Sequence, residues 1–166
     1  MFEDKQLDTL VWDYEDREDG EVPSYAADFE TTTLADDCRV WAWAVCEIGN
    51  PSNIQYGNTI DTFIEWCEVH SGSRVYFHNL KFDGKFILHH IMSNGWQWIP
   101  VKSECGYHRF TTLISDMSQF YSIKIWFDER RAVEFLDSLK VIPLPIAAIP
   151  KAFGLPIEKL EMDYVA

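Results

Sequence analysis

From Tyr25 onward apolar positions alternate with small or polar ones, a pattern that predicts strands over Tyr25–Glu30 and Arg39–Ile48, the second with Trp41, Trp43 and Val45 at alternate places. Asn50-Pro51-Ser52 and Gly57-Asn58 bound a short third strand around Ile54–Tyr56, so the segment opens as a meander of three strands. The period then changes. Thr59 is a good cap for a helix over Ile60–His70, with Asp61 in its first turn and Phe63, Ile64, Trp66 and Cys67 as the apolar stripe, and Ser71-Gly72-Ser73 stops it. Arg74–His78 reads as a buried strand, and Lys85–Asn94 as a helix carrying Phe86, Ile87, His90 and Ile91 that ends at Gly95. Trp96–Val101 turns extended. Arg109–Ile114, Gln119–Phe127 and Arg131–Leu136 alternate as two or three antiparallel strands, with Glu129-Arg130 at a turn. Pro150 restricts Ile146–Phe153 to a short or interrupted helix that Gly154 closes. Trp41–Trp43 is expected in the core, and His89 and His90 at the surface or in packing.

A chain of 166 residues with 47% hydrophobic positions suits one domain with a real core. No apolar run approaches the ~20 residues needed to span a bilayer, and Met1-Phe2-Glu3-Asp4 has the wrong charge for a leader, so the expectation is a soluble, cytoplasmic protein. Cys38, Cys46, Cys67 and Cys105 have neither CxxC nor zinc-like spacing and are expected as reduced, mostly buried small apolar residues. The net charge of -13 opposes tight binding to a phosphate backbone. Its distribution softens that objection. Residues 1–24 hold nine acids against Lys5 and Arg17, which places -7 there and -6 on residues 25–166. Residues 1–24 therefore read as an acidic extension, with Leu10, Val11, Trp12 and Tyr14 available to pin it down, and 25–166 as the folded domain.

The chemistry is concentrated in two short acidic motifs, Asp28-Phe29-Glu30 and Asn79-Leu80-Lys81-Phe82-Asp83. If Tyr25–Glu30 is a strand, Asp28 and Glu30 point to one face and Phe29 to the other. Two ionised carboxylates that close repel each other, and a divalent cation with hard oxygen ligands relieves the repulsion. Such ions activate water and stabilise a leaving oxygen in phosphodiester hydrolysis. The second motif falls at a strand-to-helix junction, at the carboxyl end of a strand, where open α/β sheets keep their sites. On its own Asp83 could be a helix N-terminal acid favoured by the macrodipole, and Asp28 and Glu30 solvent-facing strand-end carboxylates.

The strings Asp28-Phe29-Glu30-Thr31-Thr32-Thr33, Asp37-Cys38-Arg39-Val40-Trp41-Ala42, Tyr76-Phe77-His78-Asn79-Leu80-Lys81-Phe82-Asp83-Gly84 and Asp137-Ser138-Leu139-Lys140 together resemble the 3'-5' exonuclease domain of protein-primed family B DNA polymerases. The resemblance runs over most of the chain from Tyr25. It implies an α/β fold of the RNase H-like (DEDD exonuclease) type, with a central mixed sheet flanked by helices and a β-hairpin insertion. It also implies that Asp28, Glu30 and Asp83 are ligands of two catalytic ions, Mg²⁺ or Mn²⁺. Thr31, His78, Asn79, Phe82, Ser138 and Leu139 would then hold a single-stranded DNA 3' end, by stacking and by short polar contacts. Lys159 corresponds to a lysine that assists hydrolysis by stabilising developing charge, and Tyr164 to a further site tyrosine. The implied partners are the polymerase domain of the same longer chain and a terminal protein, in a phage-infected or plasmid-bearing bacterial cell.

The family completes this site with a tyrosine followed four residues later by an aspartate, and no such YxxxD occurs in the sequence. Weak or absent hydrolysis by this chain alone is the expectation. The rival reading is a stand-alone protein of the same fold that binds DNA ends, or mimics nucleic acid with its acidic surface, without catalysing anything. A nuclease of this fold directed at RNA is a third, since nothing in the sequence reads or rejects a 2'-hydroxyl. His78 and Phe82 could instead be plain packing residues, Ser138 a turn residue and Lys159 a solvated lysine.

Overall fold

The computed structural model describes residues 22–32, 34–157 and 159. Eight strands form one sheet: β1 (Ser24–Thr31), β2 (Val40–Glu47), β3 (Asn50–Gly57), β4 (Arg74–Phe77), β5 (Gln97–Trp98), β6 (Arg109–Ile114), β7 (Phe120–Trp126) and β8 (Ala132–Asp137). Their order across the sheet is β3-β2-β1-β4-β8-β7-β6-β5. The meander β1–β2–β3 is antiparallel, as its alternation and tight turns require, whereas β4 lies parallel to both β1 and β8. The hairpin β6–β7 carries the same sheet beyond β8. The mixed sheet expected from the sequence is therefore present.

Helices α1 (Ile60–Val69) and α2 (Leu80–Ser93) pack against each other and against the sheet, α1 over β2 and β8, α2 over β4, β7 and β8. A short α3 (Ile149–Phe153) follows, with Pro150 in its first turn where no amide partner is lost, and with Gly154 in the left-handed conformation (φ +64°) at its end. Thr59 caps α1: its backbone is extended and its Oγ1 accepts the N–H of Thr62 at 3.2 Å. The residues that α1 buries, Phe63, Ile64, Trp66 and Cys67, are those of the apolar stripe. Phe63 is the hub. Its ring meets Phe29, Trp43, Trp66, Phe77 and Phe135, mostly edge to face. The buried indoles keep their hydrogen bonds, Trp43 Nε1 donating to Thr62 Oγ1 at 2.9 Å and Trp66 Nε1 to Gln55 Oε1 at 2.8 Å.

Three expectations need correction. α2 begins at Leu80 rather than Lys85, which brings Asp83 and Gly84 inside the helix; a Cβ on Gly84 would lie 2.9 Å from Ile123 Cδ1, so glycine is what lets this turn approach the sheet closely. Trp41 is 39% exposed, not core, because the register of β1 on β2 slips: Glu30 pairs with Ala42 but Thr31 with Val40, leaving Trp41 bulged out of the ladder. Of the cysteines only Cys67 is buried; Cys38 is exposed in the loop after β1, and Cys46 and Cys105 are half-buried. The acidic segment expected over residues 1–24 lies outside the described residues up to position 21, and Ser24 already opens β1.

Removing the hub ring should test this core. Phe63→Ala is expected to lower the unfolding free energy by about 3–5 kcal/mol, read by urea denaturation at unchanged m-value, because five surrounding rings cannot collapse into the space.

Candidate active site

Strand alternation divides the first motif as anticipated. Phe29 is buried under α1 while Asp28 is exposed and Glu30 half-exposed on the other face of β1. The second motif arrives from β4, where Phe77 turns inward and His78 and Asn79 make the junction to α2. Asn79 adopts the left-handed conformation (φ +82°), one that asparagine tolerates better than most residues, and its side chain makes no capping bond. That sharp junction turns the first helical turn of α2 back toward the end of β1.

Asp83 is buried, at 4% exposure. The charge of Asp28 and the amide of Phe29 both act on its carboxylate, which couples the two motifs electrostatically. Burial first, then the charge of Asp28, push the Asp83 carboxyl up to about 7, more than offsetting the N–H donors, and Asp137 adds to the rise. Asp28 is raised in the same sense, by desolvation against the sheet and then by the charge of Glu30, while the Phe29 N–H and the ammonium of Lys159 pull it back. Since Asp28 is open to water, solvent screens its share. Lys159, itself exposed, is thus near enough for its charge to act weakly on Asp28.

A second set of bonds joins the ends of β4 and β8. His78 Nε2 lies 2.6 Å from the carbonyl of Leu144 and its Nδ1 3.1 Å from Ser138 Oγ, while Ser138 Oγ donates to the carbonyl of Phe77 at 3.2 Å. Buried Asp137 accepts the N–H of both Asn79 and Leu139. Phe82 projects from α2 with about half of its surface exposed, its ring edge to face with Phe86 at 5.7 Å. Thr31 and Leu139 are half-buried at the strand ends. Tyr164 lies outside the described residues.

Among the described residues no three His, Cys, Asp or Glu side chains cluster closely enough to hold a metal ion. The donor chemistry nevertheless fits a hard divalent cation: carboxylate oxygens that raise one another's proton affinity are relieved by positive charge between them. No helix among the described residues is long and apolar enough to cross a membrane.

Comparison with known proteins decides the family. Residues 69–166 match the family described as DNA polymerase type B, organellar and viral. This chain belongs to that family. As a type B polymerase chain it is 42% identical over 144 residues to the DNA polymerase of Bacillus phage Nf, covering 84% of this chain and 24% of that protein. It is 39% identical over 144 residues to the DNA polymerase of Bacillus phage phi29, with the same coverage of each chain. The structure of phi29 DNA polymerase complexed with single-stranded DNA superposes with a TM-score of 0.80 at 36% identity, over 87% of this chain and 26% of that one. The chain thus spans about a quarter of the length of the polymerases it matches, in their N-terminal region. The RNase H-like α/β class expected from the sequence holds.

Two contributors to this cluster are not among the candidates that the sequence supplies. Asp137 enters the sequence motifs only beside Ser138, although an acid closing a buried alternating strand is itself a signal. The carbonyl of Leu144 is reached across 66 positions by His78, and backbone acceptors leave no trace in sequence.

The perturbed Asp83 yields a test with a definite sign. Folded Asp83 keeps a proton that unfolded aspartate releases near pH 4, so between pH 4 and 7 the folded form binds more protons and stability falls as pH rises. Asp83→Asn should therefore flatten the pH dependence of unfolding and stabilise the chain at pH 8 by on the order of 2–4 kcal/mol, followed by thermal melting at each pH. Equal pH slopes in both proteins would dismiss the assignment.

Proposed function

We propose that this chain is the N-terminal 3'-5' exonuclease portion of a protein-primed type B DNA polymerase, which removes mismatched nucleotides from the single-stranded 3' end of DNA. The observation that carries this reading is the convergence of the two acidic motifs, with Asp28 close enough to raise buried Asp83, beside a polar clamp that links the ends of β4 and β8. Acids that repel and groups suited to a frayed strand are thereby side by side.

In this reading Asp28, Glu30 and Asp83 hold two divalent cations, Mg²⁺ or Mn²⁺, which supply an activated water and offset the charge on the scissile phosphate. The remaining residues orient the strand. Phe82 offers its exposed ring to a terminal base, while Thr31, His78, Asn79, Ser138 and Leu139 bind the sugar and phosphate of the last nucleotides. Lys159 adds positive charge next to Asp28, where the phosphate charge develops, and Tyr164 contributes a further polar contact. With -13 net charge the chain binds DNA weakly by itself, so the polymerase domain of the longer protein supplies much of the grip, and a terminal protein supplies the primer. The setting is the cytoplasm of a phage-infected or plasmid-bearing bacterium.

Release of mononucleotides from a 5'-labelled single-stranded oligonucleotide measures this function. Slow hydrolysis that requires Mg²⁺ or Mn²⁺ is expected, falling at least a hundredfold in Asp28→Ala/Glu30→Ala and faster on DNA than on matched RNA. Release that survives the double substitution, or proceeds equally in chelator, would refute the assignment. DNA-end binding indifferent to the double change and accompanied by no release at any metal concentration would favour the binding-protein alternative.

A further inference from the structure

We propose that Asp137 is the positioning residue that locks the two halves of the DNA-end pocket into register, an inference that rests on the exonuclease reading above. Asp137 is the last residue of β8 and pairs with Phe77, the last residue of β4, so the parallel ladder ends at this rung. Beyond it the chains diverge, one into Asn79 and α2, the other into Ser138 and Leu139. The Asp137 side chain continues the connection in place of the missing rung: its Oδ1 accepts the N–H of Asn79 at 3.0 Å and that of Leu139 at 3.0 Å. It is 5% exposed, and a carboxylate hidden to that extent is costly unless its hydrogen bonds repay it.

Asn79 has more need of an outside restraint than its neighbours. Its backbone is left-handed without being glycine, and no bond from its own side chain caps α2, so the Asp137 carboxylate is what ties its N–H. Through Asn79 the carboxylate fixes where α2 starts, hence where Phe82 and Asp83 point. Through Leu139 it fixes the turn that presents Ser138 to His78. One buried oxygen therefore sets the distance between the groups proposed for the two sides of a terminal nucleotide, and it touches no DNA itself.

A purely structural aspartate would alter melting but not the recognition of a strand end by folded molecules. Binding of a fluorescent linear single strand with a free 3' hydroxyl is compared with binding of the same strand circularised, in Ca²⁺ to suppress turnover, for the whole 166-residue chain and its variants. The unaltered chain should prefer the linear strand. Asp137→Ala should lose that preference by about tenfold while holding the circle as before, and Asp137→Asn, which keeps an acceptor oxygen in place, should retain it within about threefold. If Asp137→Ala does not fold, Asp137→Ser decides: its short hydroxyl can serve Leu139, two positions on, but cannot span to Asn79, so the preference should still fall. A folded alanine or serine variant with the full preference, or an asparagine variant as impaired as alanine, overturns the role of Asp137. An unaltered chain that does not distinguish line from circle overturns instead the exonuclease reading on which the role depends.

Discussion

The approach of the buried Asp83 carboxylate to the end of β1, near enough for the charge of Asp28 and the amide of Phe29 to act on it, is the constraint on which the site depends, because it brings the first turn of α2 against that strand end. Everything around it is arranged so that this approach can happen. Gly84 removes the side chain that would collide with Ile123, Asn79 takes a backbone conformation that folds the helix back over the strand ends, and the Phe29 side chain on the opposite face is held by Phe63 and Phe77. An aromatic core on one face of β1 therefore sets the position of carboxylates on the other. With successive side chains on opposite faces, a shift of a single residue in β1 would bury the acids and expose the ring.

The electrostatics follow from this packing. Asp83 and Asp137 are both acids with almost no exposure, and both are held by backbone N–H groups rather than by lysine or arginine. Amide donors stabilise a carboxylate without cancelling its charge. Negative potential thus accumulates where β1, β4 and β8 end, and the proton affinities of Asp28 and Asp83 record it. Had arginines been used instead, their charge would cancel that of the carboxylates and leave little attraction for a cation.

Much of this could be read from the sequence, and the exceptions share a cause. The alternation through Tyr25–Glu30 reported correctly which side of the strand each motif residue faces, and the stripe Phe63, Ile64, Trp66 and Cys67 reported the buried face of α1. These are local periodicities. The start of α2 is hidden in the sequence because Asn79-Leu80-Lys81-Phe82-Asp83-Gly84 has no capping side chain and a glycine early, and the reasons for both, a left-handed residue bonded to Asp137 and a close approach to Ile123, lie on strands far along the chain. Trp41 escaped for a related reason: a bulge is a property of two paired strands, and alternation within either one cannot announce it.

The strand order has a consequence for how the molecule comes to exist. Hairpins β1–β2, β2–β3, β6–β7 and β7–β8 each close a short loop, whereas β4 meets β1 and β8 only by bridging long intervening segments, Ser24 with Arg74 and Arg74 with Glu134. Loop closure over such distances costs chain entropy before any contact repays it. The two hairpin groups close over short loops, and the central parallel pairings are what join them. The carboxylates sit beside those long-range pairings, so the two acidic motifs come together only where segments far apart in the sequence have met.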